Sequence, residues 1–346
     1  MPIYLYDRSK IGKGMGSMKA IIHKGEAGLS GTSYGEVTPI QVKSDEVRVK
    51  LKAAGMNHRD LFVLHRHKPE EPALIIGSDG AGIIEEIGED VSGHKVGDEV
   101  MINPGLGWNE ISDAPPAGFE IVGFPYNGTF AESIVIPAKN AVSKPEFLSW
   151  EEAGVLSLAG LTAYRALFTR GKVQEGMKVF IPGVGGGVAT FLLQFALAAG
   201  AEVYVSSRSK EKREKALQLG AKQALDSNGN WREAIGGKID LVIESVGAAT
   251  FNQSLETLRP GGTLVIFGSS TGDEVKINLR NFFYGQHNIL GSTMGSAEEY
   301  NEMIALVKKH KIKPVMDETY TLDQYKEAFE RLEKAEQLGK IAFRIN

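Results

Sequence analysis

One stretch constrains the fold of this chain more than any other: Ile181-Pro-Gly-Val-Gly-Gly-Gly-Val-Ala189. It comes after the β-type run Lys178-Val-Phe-Ile and opens a helical pattern over 186–199, with Phe191, Leu192, Phe195 and Ala199. Small residues between a strand and a helix let the backbone turn tightly. They also let a diphosphate reach the helix N-terminus, where free N–H groups and the helix dipole favour negative charge. That context turns a weak glycine pattern into a dinucleotide signal. Two registers fit G-x-G-x-x-G. Starting at Gly183, the third position is Val188. Shifted by one, Val184, Gly186 and Ala189 take the three places, and this register is preferred because alanine is small enough to seat helix on strand. Gly185, Gly186, Gly187 and Val188 are the expected contacts.

The surrounding texture agrees. From about 146 to 296, strands such as Glu202-Val-Tyr-Val-Ser-Ser, Ile239-Asp-Leu-Val-Ile-Glu and Gly262-Thr-Leu-Val-Ile-Phe alternate with helical segments. This implies right-handed βαβ units on a doubly wound parallel sheet, an α/β fold. Residues 18–145 differ: short β-type runs such as Val47-Arg-Val-Lys-Leu, broken by glycines, predict a small β-rich domain. Within it, 103–128 reads as loop, with Pro104, Pro115, Pro116 and Pro125. Residues 297–346 carry two amphipathic helices, about 297–310 and 322–335, and a closing strand from Lys340; they are expected to return to the first domain. Residues 1–17 read as a vector leader ahead of the strand that opens at Met18.

Composition excludes several classes. With no cysteine, the chain has no disulfide, thiol nucleophile or thiolate-ligated zinc or iron–sulfur site. A formal net charge of −4 leaves no electrostatic footprint for nucleic acid or an anionic membrane. No run approaches the roughly 18 apolar residues of a membrane span. A cytoplasmic protein is expected.

The second strand of the sheet selects the cofactor. An NAD site places Asp or Glu about 20 residues beyond the glycines to bond the ribose hydroxyls. Here the strand ends in Ser206-Ser-Arg-Ser-Lys210, without an acid. Ser207, Arg208 and Lys212 suit a 2′-phosphate, so NADP(H) is expected.

Several motifs together resemble the medium-chain dehydrogenase/reductase superfamily from Met18 to Asn346. They are Gly55-Met-Asn-His-Arg-Asp-Leu61, Gly77-Ser-Asp-Gly-Ala-Gly82, Ala159-Gly-Leu-Thr-Ala-Tyr164 and Leu338-Gly-Lys-Ile341. The resemblance implies a GroES-like catalytic domain beside a Rossmann nucleotide domain. Where the zinc-dependent alcohol dehydrogenases of that superfamily carry Cys and His-Glu, this chain has Asn57 and Ser78-Asp79. The third ligand position falls near Leu158 and Ala159. A Pro/Gly stretch around Trp108 replaces the structural-zinc loop. No metal is therefore expected, and Asn57-x-x-Asp60 resembles the zinc-independent quinone oxidoreductase-like branch. A rival metal reading gathers His58, His65 and His67, but shows no fourth ligand and sets His65 and His67 on opposite faces of an extended stretch.

The resemblance implies an NADPH-dependent reductase of small quinones or α,β-unsaturated carbonyls. Thr162 is expected near the nicotinamide, Asn57 as a neutral donor to nicotinamide or substrate oxygen, Asp60 as an orienting acid and Tyr126 as a candidate phenol donor. Further cofactor contacts are implied at Ser245, Val246, Gly247, Phe267, Gly268, Ser269 and Lys340, and a homodimer through 285–292. The alternatives are a zinc-free dehydrogenase or reductase of simple alcohols and aldehydes, and a non-catalytic NADPH-binding sensor. Substrate shape would come from the irregular segments 62–72 and 103–128.

Overall fold

The computed structural model describes residues 16–236 and 238–346, so the expected leader lies outside the described residues except for its last two. The alternating strands and helices of the second half form one six-stranded parallel sheet. Its order in space is Gln223–Asp226, Glu202–Ser207, Lys178–Ile181, Ile239–Glu244, Leu258–Ile266 and Asn288–Gly291. The strands are apolar because helices cover both faces. On one face Phe180 meets the buried Trp231 edge to face, with ring centroids 5.0 Å apart. On the other, Val179 and Ile181 join the core of the glycine-turn helix, Gly187–Ala198, with Phe191 and Phe195. Chain order reverses between the first and fourth strands, Lys178–Ile181 and Ile239–Glu244, which opens a crevice at their carboxyl ends.

The first half is built on an antiparallel core strand, Glu46–Gly55. Its alternating Val47, Val49 and Leu51 are fully buried, as the period of two requires. It pairs with Asp79–Ile87 on one side and with Lys340–Arg344 on the other, while Ser133–Pro137 pairs along its first residues. Phe130 and Phe343, 4.9 Å apart, fill the layer beneath helix Tyr325–Glu333.

Two boundaries move. Helix Ala297–His310 does not return to the first half: Tyr300, Met303 and Val307 join the nucleotide-sheet core, and Met303 lies so close to Gly160 that a Cβ there would come within 2.7 Å of its sulfur. The return begins only beyond Lys311, with strand Met316–Thr321. Segment 62–72 is not wholly irregular either, since His58–Arg66 is helical.

The 103–128 loop is anchored by one arginine. Arg165 is buried, pairs with Glu299 at 2.7 Å, donates to the Ser112 carbonyl at 2.8 Å and lies over the Trp108 ring at 4.6 Å. A buried pair so fully hydrogen-bonded fixes geometry more than it adds stability. Among the described residues no helix is long and apolar enough to cross a membrane.

Candidate active site and cofactor turn

Four element ends converge on one buried network. Asn57 caps helix His58–Arg66, Asp79 opens strand Asp79–Ile87, Leu158 stands in the first turn of helix Ser157–Tyr164, and Lys340 opens strand Lys340–Arg344. The Lys340 ammonium donates to the Met56 carbonyl at 2.7 Å and to Asn57 Oδ1 at 2.6 Å, and lies 3.5 Å from Asp79 Oδ2. Asn57 Nδ2 donates to Asp79 Oδ2 at 2.9 Å and, weakly, to the Gly55 carbonyl at 3.4 Å. The Leu158 N–H donates to Asp79 Oδ1 at 2.7 Å. Burial raises the Asp79 carboxyl and lowers the Lys340 ammonium from their usual ranges, each opposed by the other's charge.

This network bears on the role expected for Asn57. Its oxygen faces an ammonium, and both amide hydrogens have acceptors inside the protein. It could donate to a substrate only by giving up the weak bond to the Gly55 carbonyl or the stronger one to Asp79. Lys340 was expected as a cofactor contact. Its stem crosses the start of the glycine-turn helix, where a Cβ on Gly187 would meet it, and its ammonium points to Asn57.

Asp60 is fully buried. One carboxylate oxygen accepts the Asn57 N–H at 2.7 Å, and the other has no partner among the described residues. Burial pushes its carboxyl up to about 7. Thr162 is buried with its hydroxyl donating to the Leu158 carbonyl at 2.8 Å, one turn back. Tyr126 lies just beyond the cis Phe124–Pro125 bond and is 41% exposed, outside the Asn57 network.

The glycine turn takes the other register. Gly183 and Gly185 are the left-handed residues, with φ of 72° and 140°, and Gly186 is the N-cap of the helix. Positive φ at these two positions needs glycine, so the tight-turn role falls on Gly183 and Gly185 rather than on Val184. Ala189 is buried within the helix, and Val188 beside it is partly buried. A Cβ on Gly186 would meet nothing within 4 Å, leaving open space at the helix N-terminus, where free N–H groups favour negative charge. The Lys212 side chain covers Gly185 and donates to the Ala335 carbonyl at 2.8 Å.

Ser207 ends its strand buried, and Arg208 beyond it is exposed. Among the described residues no hydrogen bond or ion pair engages the Arg208 guanidinium, whereas Arg213 next to it is tied to the Ser207 carbonyl and to Asp226. Ser245, Val246 and Gly247 come after one strand, and Phe267, Gly268 and Ser269 after the next, at the carboxyl edge that also holds the glycine turn. The first of these loops is shaped by Glu244, which sequence reasoning missed. Its buried carboxylate accepts from the Val246 and Gly247 N–H groups at 2.7 and 3.2 Å and from the Thr250 and Ser254 hydroxyls. Its signal was an acid at the end of an otherwise apolar strand.

Arg59 was also missed, although it stands inside the Asn57–Asp60 motif. Its Nη1 donates to Ser78 Oγ at 2.5 Å and to the Val122 carbonyl at 3.1 Å. The histidines do not converge on an ion. His65 and His67 lie at the end of a helix, not on an extended run, and His67 Nδ1 sits 2.7 Å from His23 Nδ1. Among the described residues no three His, Cys, Asp or Glu side chains are grouped to hold a metal.

Known proteins resemble this chain along nearly all its length. Residues 43–146 match the alcohol dehydrogenase GroES-like domain, and residues 187–309 match the zinc-binding dehydrogenase family. A zinc-type alcohol dehydrogenase-like protein of Schizosaccharomyces pombe is 36% identical over 89% of this chain and 93% of its own. A crotonyl-CoA reductase of Streptomyces avermitilis is 31% identical over 78% of this chain and 68% of its own. The crystal structure of an NAD-dependent alcohol dehydrogenase superposes with a TM-score of 0.90 at 31% identity, covering 95% of this chain and all of the other.

Proposed function

The chain belongs to the medium-chain dehydrogenase/reductase superfamily, and on that premise we propose that this oxidoreductase is an NADPH-dependent, zinc-independent reductase of quinones and α,β-unsaturated carbonyl compounds. The observation that carries the reading is the cation already seated among the residues that replace the metal ligands. A zinc ion does not fit this donor set. Asn57 Oδ1 holds the Lys340 ammonium, Ser78 Oγ holds the Arg59 guanidinium, and Leu158 offers only an apolar side chain. Without a Lewis acid to polarise a simple carbonyl or acidify an alcohol, acceptors activated by their own conjugation are the better substrates. The similarity to a crotonyl-CoA reductase, named for a conjugated thioester, supports the same class.

NADPH, when bound, supplies the hydride. The chain's part is to seat its diphosphate at Gly185–Val188, to keep the nicotinamide beside Thr162 and to exclude water from the crevice. The preference for NADPH rests on Arg208 and Ser207, which stand where an NAD site would carry an acid. A homodimer belongs to the same reading: Leu279, Phe283 and Tyr284 are 70%, 53% and 70% exposed beside the edge strand Asn288–Gly291, whose outer side is unpaired among the described residues.

The test is NADPH and NADH oxidation against quinones, enals and simple aldehydes, with and without chelator. Chelator-insensitive turnover of conjugated acceptors with NADPH is expected. Turnover confined to simple aldehydes, or abolished by chelator, would refute the zinc-independent reading. Tight NADPH binding with no turnover on any acceptor would favour the sensor.

A further inference from the structure

We propose that Arg59 receives the substrate's carbonyl oxygen and the negative charge that gathers there during reduction. This role rests on the conjugated-acceptor reading and assigns to one residue the work that a metal would do.

Of the two cations at the site, Lys340 and Arg59, one keeps donors to spare. Asn57 gives one amide hydrogen to Asp79 and the other only weakly to the Gly55 carbonyl, and the Lys340 ammonium is surrounded by the Met56 carbonyl, Asn57 and Asp79. The Thr162 hydroxyl donates along its own helix. Arg59 remains. Both of its bonds to the protein are made by Nη1, to Ser78 Oγ and to the Val122 carbonyl. Among the described residues, Nε and Nη2 have no acceptor, and neither is a sealed polar atom without a partner, so both have access to open space.

Position supports the same assignment. Ser78 stands at one of the replaced ligand positions, and its buried hydroxyl holds the guanidinium there. The Val122 carbonyl belongs to the long loop expected to shape the substrate pocket, so the same nitrogen joins loop and helix. A guanidinium stays protonated at any working pH and presents its donors in a rigid fork. A fixed cation of this kind, partly withdrawn from water, stabilises charge that develops only in the transition state.

The step balances with the reductant already named. The β-carbon of the acceptor gains a hydride, and the electron pair of its C=C bond moves to join the α-carbon and the carbonyl carbon. The carbonyl pair moves to oxygen, where the enolate charge faces Arg59. A proton from water then adds at the α-carbon, giving the saturated carbonyl and oxidised cofactor.

The experiment uses full-length wild type, Arg59→Gln and Arg59→Lys. Each is assayed for trans-2-hexenal reduction with NADPH. Each protein–NADPH complex is also titrated with crotonate, a conjugated carboxylate, by the change in NADPH fluorescence. In Arg59→Gln, kcat should fall by about 100-fold or more, with the KM for NADPH unchanged and crotonate affinity at least tenfold weaker. Arg59→Lys should recover part of both, and it serves as the readout if the glutamine variant fails to fold. Crotonate binding equal to wild type in either folded variant, hexenal turnover within threefold of wild type in Arg59→Gln, or no crotonate binding to wild type would overturn the assignment. Arg59-dependent crotonate binding by a wild-type enzyme that reduces no enal would support the oxygen site while sinking the conjugated-acceptor reading.

Discussion

The backbone N–H of Gly339 donates to the carbonyl of Gly185 at 2.7 Å. The closing segment of the chain thus rests on the turn predicted to hold the diphosphate. The next residue, Lys340, reaches from that turn into the Asn57–Asp79 network. The glycine turn and the Asn57–Asp79 network are therefore joined through residues 339–340, and Lys212, which covers Gly185, also donates to the Ala335 carbonyl.

The Lys340–Asp79 pair predicts a stability coupling. Lys340→Met leaves a buried carboxylate without its cation and should destabilise the cofactor-free protein by about 3–5 kcal/mol. The double variant Lys340→Met, Asp79→Asn should lose much less, because the uncompensated charge has gone. Urea denaturation of all three proteins measures this, and equal losses in single and double variants would show that the pair is not coupled.

Asp60 predicts a pH dependence. Its carboxyl is raised to about 7 in the fold, against about 4 in the unfolded chain. Between those values the folded state holds the proton more tightly, so stability falls as pH rises from about 4 to about 7 and levels off above. Asp60→Asn removes this slope. The stability of wild type relative to the variant should drop across that window and stay constant above about pH 8. A constant difference throughout would refute the assignment.

Arg208→Ala should raise the KM for NADPH about tenfold and leave that for NADH unchanged, as expected if the guanidinium meets only a 2′-phosphate. An unaltered ratio of the two KM values would remove Arg208 from the site.

Gly186→Ala separates binding from folding. Gly186 has φ of −79°, and a Cβ there would meet nothing within 4 Å. Stability should fall by no more than about 1 kcal/mol, the order of the cost of alanine at an N-cap. NADPH affinity, tracked by fluorescence, should weaken at least tenfold, since the methyl group would stand where the diphosphate approaches. Unchanged affinity would place the diphosphate elsewhere.

Local pattern made much of this architecture legible. The period of two in Val47, Val49 and Leu51 marks a half-buried strand, and the apolar run around Phe180 marks one covered on both faces. The glycine turn was legible in place but not in register, because composition does not reveal which residue takes positive φ. The buried polar network was the least legible part. Asn57, Asp79 and Lys340 are joined only by the tertiary fold, and no local signal shows that Lys340 will take the oxygen of Asn57 while Asp79 takes one of its amide hydrogens. The pairing of His67 with His23 escaped for the same reason. Helix Ala297–His310 was misplaced because amphipathicity identifies a helix with one apolar face but not the core that the face will meet.

The pairing of strand Lys340–Arg344 with Glu46–Gly55 sets an order on biosynthesis. The half that leaves the ribosome first cannot complete its sheet until Lys340–Arg344 has been made. At about 5–20 residues per second, its central strand waits on the order of 15–60 s for that partner. The nucleotide sheet, contiguous from Lys178 to Gly291, can close in the meantime. The chain is therefore expected to mature from its middle outward, with a released fragment that stops short of Lys340 exposing the unpaired edge of Ala53, Ala54 and Gly55.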